Sequence, residues 1–308
     1  MSRACRLCGS TGTVPLDVLA PEELEREYRR QCGVRIILPV QPIEYRCCDQ
    51  CGLRFFEPAE PGDDAFYAAL GRLPWYYQDE KHEFALAARR IGPGHDVLEI
   101  GAGRGAFACG LRARSYCGLE LSTAAIATAH ASGLTLLRET VEEHAARRPA
   151  GYDVVCSFQV LEHVHDPRGF LEAASCCLRR GGHLVVSVPA EDSFMGADRF
   201  DVLNMPPHHL TRWTDRALAA VAGLVGLELI DVTHEPLAPG HARLYARVAA
   251  QSGFAALRGW APRLLDARLT SPLAAGCVWL HASLIRRTLR FRRRRPAGHT
   301  VVAVYGKP

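Results

Sequence analysis

Val97-Leu98-Glu99-Ile100-Gly101-Ala102-Gly103-Arg104-Gly105 decides the fold of this 308-residue chain. A short, nearly continuous apolar run reads as a buried strand, and alternating glycines read as a tight loop leaving it. Upstream, Phe84, Ala88 and Ile91 recur at helical spacing and Pro93-Gly94 ends that helix. Downstream, a helix is expected through about Arg114, then a second strand over Tyr116–Leu121. Ser122 is a good N-cap for a helix to about Ala131, followed by a third strand near Leu134–Leu137 and a fourth over Tyr152–Phe158. Phe170, Ala174 and Leu178 mark a helix closed by Arg179-Arg180-Gly181-Gly182, and His183–Val188 is the fifth strand, stopped by Pro189. Leu218, Val221, Ala222 and Val225 form another helical stripe, ended by Gly226; Leu227–Thr233 and His299–Tyr305 are the sixth and seventh strands. Such alternation specifies a parallel α/β sheet with helices on both faces.

In open α/β sheets the ligand lies at the carboxyl ends of the strands, so the glycine loop is the first candidate site. Glu120 ends the second strand, 19 residues after Gly101, where a carboxylate can accept both hydrogen bonds of a ribose diol. The glycine spacing, Gly101-x-Gly103-x-x-Ala106, also satisfies a dinucleotide fingerprint and does not separate nicotinamide cofactors from S-adenosylmethionine. Glu99 separates them better. A carboxylate there can hold an ammonium group, directly or through water, whereas a pyrophosphate gains nothing from more negative charge.

Six of the 12 cysteines lie in the first 51 residues. Cys5-x-x-Cys8-Gly9 and Cys48-x-x-Cys51-Gly52 are paired knuckles that can present four thiolates to zinc, a closed and therefore structural site. Cys47-x-x-x-Cys51 is the alternative pairing; Cys48 is preferred because it repeats the first knuckle's spacing. Cys32 reads as a spare core thiol. Pro21 followed by Glu22-Glu23 starts a helix between the knuckles, and Pro58-Ala59-Glu60-Pro61-Gly62-Asp63 closes the module.

The glycine loop, Gly118-Leu119-Glu120-Leu121-Ser122, Tyr152–Val155 with Val160-Leu161-Glu162-His163-Val164-His165-Asp166-Pro167, and Leu178–Gly182 with Val185–Pro189 together resemble the motifs of class I S-adenosylmethionine-dependent methyltransferases. The order and spacing match over residues 80–235. The subgroup it most resembles is the ubiquinone-biosynthesis-like one with an N-terminal CxxC…CxxC module. The resemblance implies an α/β fold: a seven-stranded Rossmann-like sheet with the last strand antiparallel, a small zinc-ribbon-like module at 1–62, a linker and first helix at 63–90, and the methyltransferase domain at 91–308. It also implies that Glu99, Gly101, Gly103 and Gly105 surround the methionine part of the cofactor and that Glu120 holds the ribose. Leu121 is then expected against the adenine, Phe158 and Gln159 along the cofactor, Tyr77 over its methionine end, and Glu139 or Thr140 at the adenine edge.

In this fold the loop after strand five presents acceptor-side groups. Here it reads Asn204-Met205-Pro206-Pro207-His208-His209-Leu210-Thr211-Arg212-Trp213. An unperturbed His titrates near 6.5, suited to taking a hydroxyl proton, so His208 or His209 is the expected base. Trp213 is expected to pack the loop onto a helix capped by Thr214. Some methyltransferases bind a divalent metal through a Glu-x-x-Glu-His run plus a later His. Here Gln159 replaces the first Glu, so Glu162 and His163 are read first as loop structure and second as ligands.

Net charge is +4, yet residues 286–308 carry seven Arg and one Lys with no acidic residue, leaving the remainder at −4. A body of that sign disfavours nucleic acid as a partner. No apolar run reaches membrane-spanning length and the N-terminus lacks a signal-like apolar core, so a cytoplasmic enzyme acting on a small molecule is expected. About sixty residues, roughly 236–298, separate the last two strands. Their apolar stretch and following arginines are expected to form a helical lid or homodimer surface, with peripheral membrane contact through 272–295 as the rarer reading. RNA methylation, or a non-catalytic scaffold role, is the alternative to small-molecule chemistry.

Overall fold

The structure is a computed structural model and describes residues 4–73, 76, 81–289 and 295–308. The chain opens with β1 (Thr13–Leu19), α1 (Pro21–Cys32), β2 (Ile43–Cys48) and β3 (Arg54–Glu57). Proline in its first turn starts α1, with Glu22 and Glu23 at the positive end of the helix dipole and Arg29 and Arg30 at the negative end. Two short helices, α2 (Asp64–Leu70) and α3 (His82–Ala88), lead into the larger sheet.

That sheet is built from β4 (Asp96–Ile100), β5 (Ser115–Leu119), α4 (Thr123–Ala131), β6 (Leu136–Leu137), α5 (Val141–Arg147), β7 (Tyr152–Phe158), α6 (Pro167–Cys177) and β8 (Leu178–Pro189). Then come β9 (Thr211–Arg212), α7 (Asp215–Val225), β10 (Glu228–Pro236), α8 (Ala242–Leu257), α9 (Pro272–Leu289) and β11 (Ala297–Gly306). The seven strands lie in the order β10-β11-β8-β7-β4-β5-β6. Neighbours from β8 to β6 pair in parallel, while β11 runs antiparallel to both β8 and β10. The expected reversed last strand is therefore present. Leu237 N donates to Pro296 O at 2.8 Å, closing the neck through which α8 and α9 leave the β10–β11 hairpin.

Helix caps follow the sequence. Ser122 Oγ accepts from Ala125 N and Thr214 Oγ1 from Ala217 N, and Gly226 ends α7 at φ 68°. One expectation fails: residues 101–110 form successive turns rather than a helix running to Arg114. Gly105 and Gly110 take φ of +83° and +79°, which a continuing helix does not allow. Strand five starts earlier than expected, at Leu178, which pairs with Tyr152; a register shift then leaves Arg179–Gly182 out of the pairing before His183 resumes it opposite Val154.

A second sheet has the order β1-β2-β3-β9. Its fourth strand comes from the loop that follows β8: Arg54 pairs with Arg212 and Phe55 with Thr211, and Phe56 N donates to Leu210 O at 3.0 Å. Cys5, Cys48, Cys51, Leu53 and Phe55 share one buried cluster with Trp213, Leu218 and Tyr305. The cysteine-bearing module thus packs directly on the larger sheet and on the loop that carries His208 and His209.

Candidate active site

Along the carboxyl edge of β4–β8 lies a cavity of about 1050 Å³, at the upper end of the range for small-ligand sites. Of the residues expected to hold a cofactor, Glu99, Gly101, Gly103, Glu120, Leu121, Phe158 and Gln159 line it, as do Glu139 and Thr140. Gly105 does not. A Cβ on Gly105 meets Leu134 Cδ2 at 2.3 Å, so this glycine allows close packing below the loop instead of bordering the cavity. Tyr77 lies outside the described residues; its neighbour Tyr76 lines the cavity.

Gly101 has φ +75°, and a Cβ there comes within 2.3 Å of Val160 Cγ2. The loop can therefore bend tightly off β4 only without a side chain. Glu120 is held rigidly: Oε2 accepts from Gly103 N at 2.7 Å and Oε1 from Leu121 N and Ser122 N at 2.9 and 2.8 Å. One carboxylate thus ties the glycine loop to the end of β5. Leu121 is 54% exposed although large and apolar, offering a flat contact at the cavity wall. Thr140 caps α5 in a reciprocal pair with Glu143, and Glu139 is paired with His144 and Arg147, so both are partly engaged.

Glu99 is buried, and burial pushes its carboxyl up to about 8 against the pull of a hydrogen bond from Tyr116 OH at 2.5 Å. Desolvation disfavours the charged form unless a cation is supplied. Gln159 closes β7 with φ +57°, rare for a side-chain-bearing residue, and its amide reaches Glu83, Ser187 and Thr300 at 3.4 Å each. Phe158 packs edge-on against Phe84 and Phe107, with ring centres 5.1 and 4.9 Å apart.

At the other end of the cavity, Glu162, His163, His208 and His209 converge. His163 Nδ1 donates to His208 O at 2.5 Å, His208 Nδ1 to Leu203 O at 2.7 Å, and His209 Nδ1 to Asn204 Oδ1 at 3.0 Å. A carbonyl oxygen only accepts, so each imidazole keeps its proton on Nδ1 and turns a lone pair outward at Nε2. His208 Nε2 accepts a hydrogen bond from Tyr76 OH at 3.0 Å. One ring nitrogen from each of the three histidines lies within 4.8 Å of the others. Burial holds all three imidazoles well below 6.5, His163 at about 4, so they are neutral at pH 7. Glu162 is 1% exposed, neither carboxyl oxygen has a hydrogen-bond partner among the described residues, and burial lifts it to about 8. Its Oε1 lies 3.9 Å from Nε2 of both His163 and His209. The sequence reading of Glu162 and His163 as loop structure also holds in part, since Glu162 O accepts from Leu210 N at 2.8 Å.

Arg212 joins this cluster to the N-terminal sheet. It is buried, its Nε donates to Asn204 O at 2.8 Å, and its guanidinium lies 5.0 and 5.5 Å from the ring centres of Tyr45 and Phe56. Sequence reasoning missed Arg212, Tyr76 and Asn204 as site residues. Arg212 and Asn204 lie in the loop already quoted, but nothing in their spacing separates them from its scaffold.

In the N-terminal module, Cys5, Cys8, Cys48 and Cys51 bring their sulfurs within 4.8 Å of one another, and Cys47 stands apart with its thiol on Cys48 O. The Cys5–Cys51 and Cys8–Cys48 sulfur distances are both 3.5 Å. That is far beyond a disulfide and close to the ~3.8 Å edge of a tetrahedron with 2.3 Å zinc–sulfur bonds. The four thiols thus fit zinc. Arg216 donates to Asp49 O and Gln50 O, and Thr214 Oγ1 to Gly52 O at 3.1 Å, so the second knuckle is fastened to the start of α7.

A glycine loop bridged to a strand-end carboxylate, over a seven-stranded sheet in which only β11 is reversed, defines an S-adenosylmethionine-dependent methyltransferase. A family model for the methyltransferase domain matches residues 71–232, and the chain belongs to that family. It is 31% identical over 174 residues to a ubiquinone biosynthesis O-methyltransferase of Cronobacter sakazakii, covering 48% of this chain and 71% of that protein. To the protein of the same name from Marinobacter nauticus it is 32% identical over 182 residues, covering 52% and 73%. Among solved structures, an S-adenosylmethionine-dependent methyltransferase from Mesorhizobium loti superposes with TM-score 0.47 at 16% identity, over 75% of this chain and all (100%) of that one. One from Archaeoglobus fulgidus gives 0.45 at 14% identity, over 73% and 94%.

Proposed function

We propose that the protein transfers the methyl group of S-adenosylmethionine to a hydroxyl of a small molecule, in the class of sugars, lipid precursors or secondary metabolites. The observation that carries this reading is a single cavity lined at one end by the glycine loop with Glu120 and at the other by neutral imidazole lone pairs. The ubiquinone biosynthesis O-methyltransferases it resembles support oxygen as the acceptor atom.

Bound S-adenosylmethionine supplies an electrophilic methyl on a sulfonium. The chain's own residues supply placement and a proton acceptor. Glu120 receives the ribose hydroxyls, Leu121 covers the adenine, and Glu99 ionises against the ammonium. His209 or His208 accepts the acceptor's hydroxyl proton at Nε2; His209 is favoured because Tyr76 already occupies Nε2 of His208. Glu162, 3.9 Å from His209 Nε2, is the carboxyl nearest the imidazolium that results. Alignment supplies much of the acceleration and the base adds about 10²–10⁴-fold.

A second reading of the same cluster is a divalent cation held by Nε2 of the three histidines with Glu162, supported by the unpartnered carboxylate and by tautomers fixed by carbonyls behind the ligands. Such an ion would lower the hydroxyl's pKa. Four thiolates support structural zinc in the N-terminal module. Incubation with methyl-labelled S-adenosylmethionine and a metabolite extract, followed by mass analysis of what becomes labelled, tests the function. A labelled small molecule is expected; labelled RNA, or no transfer by cofactor-saturated protein, overturns it. Activity that survives chelators able to strip all but thiolate-bound metal selects the histidine base; loss restored by added cation selects the second reading.

A further inference from the structure

The inserted helix α9 has two faces of different character. Ala274 and Val278 are buried on its inner side. On the outer side Leu273, Cys277, Leu280 and Leu284 follow one another at spacings of four, three and four, which places them in one stripe along the helix. Leu273, Leu280 and Leu284 are 76, 59 and 52% exposed, and Trp279 at the flank is 70% exposed. Large apolar side chains in a continuous exposed row mark a surface that meets something.

Charge identifies what that is. Arg286 and Arg287 are exposed at the end of the helix without an ion-pair partner among the described residues. The sequence continues with Arg290 and Arg292–Arg295, and no acidic residue occurs between 267 and 308. A second copy of α9 would cover the leucines but bring no carboxylate to the arginines. An RNA would answer the arginines but not the leucines. An anionic bilayer surface answers both, with acyl chains against the stripe and phosphates against the guanidinium groups. Tryptophan at the flank suits the headgroup level. No helix among the described residues is long and apolar enough to cross a membrane, which agrees with a helix lying in the interface.

We propose that α9, with Arg286 and Arg287 in its last turn, is an interfacial helix that docks the enzyme on anionic lipid. The helix packs on α8, whose Leu244 and Arg247 line the active-site cavity.

The test floats the full chain with vesicles of phosphatidylcholine alone and of phosphatidylcholine mixed with phosphatidylglycerol. Binding is expected to the mixed vesicles only, with loss at high salt. A Leu280→Gln/Leu284→Gln variant and an Arg286→Gln/Arg287→Gln variant should each bind about tenfold or more weakly. Both should keep the parent's melting temperature and its affinity for S-adenosylmethionine, because the replaced side chains are exposed and outside the cavity. Absence of flotation at low salt overturns the proposal, as does equal binding by all three proteins. Equal flotation with both vesicle types removes the role of charge and overturns it too. A dimer dissociated by the leucine variant without vesicle binding assigns the stripe to a second copy, and RNA binding lost only in the arginine variant assigns the arginines to nucleic acid; either result replaces the lipid assignment.

Discussion

At the glycine end of the cavity, Glu99, Gly101, Gly103, Glu120 and Leu121 all come from residues 99–121, two adjacent strands and the turns that leave them. At the histidine end, Tyr76, Glu162, His163, Asn204, His208, His209 and Arg212 come from three separate stretches, fastened by hydrogen bonds and by a strand pairing with the N-terminal sheet. The first end is rigid because its backbone is. The second is rigid because burial and a network hold it, and such networks are costly when only partly satisfied. Glu162, with neither carboxyl oxygen hydrogen-bonded among the described residues, is the partly satisfied member of that network.

If the two ends divide the labour as proposed, substitutions should separate turnover from cofactor affinity. The largest effect is expected from His208→Ala/His209→Ala: kcat should fall by about 10²–10⁴-fold while calorimetric affinity for S-adenosylmethionine stays within a factor of about two, well inside the scatter of single contacts. A matched loss of affinity would erase the distinction. Glu120→Ala should do the converse. Removing a carboxylate that pins Gly103 and is proposed to bind the ribose diol is expected to weaken cofactor binding by about 10–100-fold, from about 1.5–3 kcal/mol per charged hydrogen bond, with kcat at saturation much less changed.

Gly101→Ala probes the rigidity of the first end. Its positive φ and the 2.3 Å approach to Val160 predict a loss of stability of about 1–3 kcal/mol in a melting or denaturant experiment. A neutral effect would show that the loop is softer than its geometry implies.

The smallest and most specific effect is in pH. Glu99 sits at about 8 in the cofactor-free protein, against 4.5 as its ordinary value. A carboxyl raised in the folded state contributes stability that is complete below the ordinary value and is lost as pH rises through about 8. An ammonium group binds the ionised form. Affinity for S-adenosylmethionine should therefore increase with pH up to about 8, by at most tenfold per unit, with uptake of the ligand releasing up to about one proton. Calorimetry in buffers of different ionisation enthalpy measures that proton. Glu99→Gln should abolish its release; persistence in the variant would assign it to another group, Glu162 being the first to examine.

Legibility follows the same division. The glycine loop, Glu120, the caps at Ser122 and Thr214, and the paired cysteine knuckles were readable because each is a local rule: a period, a cap, a spacing. The absence of a helix after Gly105 was not, since two left-handed glycines broke a segment whose composition still favoured helix. Tyr76 was hidden beside a more conspicuous neighbour, and Tyr77 itself lies outside the described residues. Arg212 was hidden because an arginine in an arginine-rich sequence carries no signal until it is found buried between a sheet and a histidine loop.

The sequence by itself determined the strands of the larger sheet in chain order, the glycine loop that leaves the first of them and the four sulfurs that gather at the N-terminus. These depend on residues close in the chain, where backbone geometry leaves few choices. Only the tertiary structure decided that three imidazoles and an orphan carboxylate face one another, that the cysteine module completes its sheet with a strand from the histidine loop, and that α9 keeps a row of leucines in solvent. Those depend on which distant surfaces exclude water together, and hydrophobic burial, being non-directional, does not announce its partners in the pattern of any one segment.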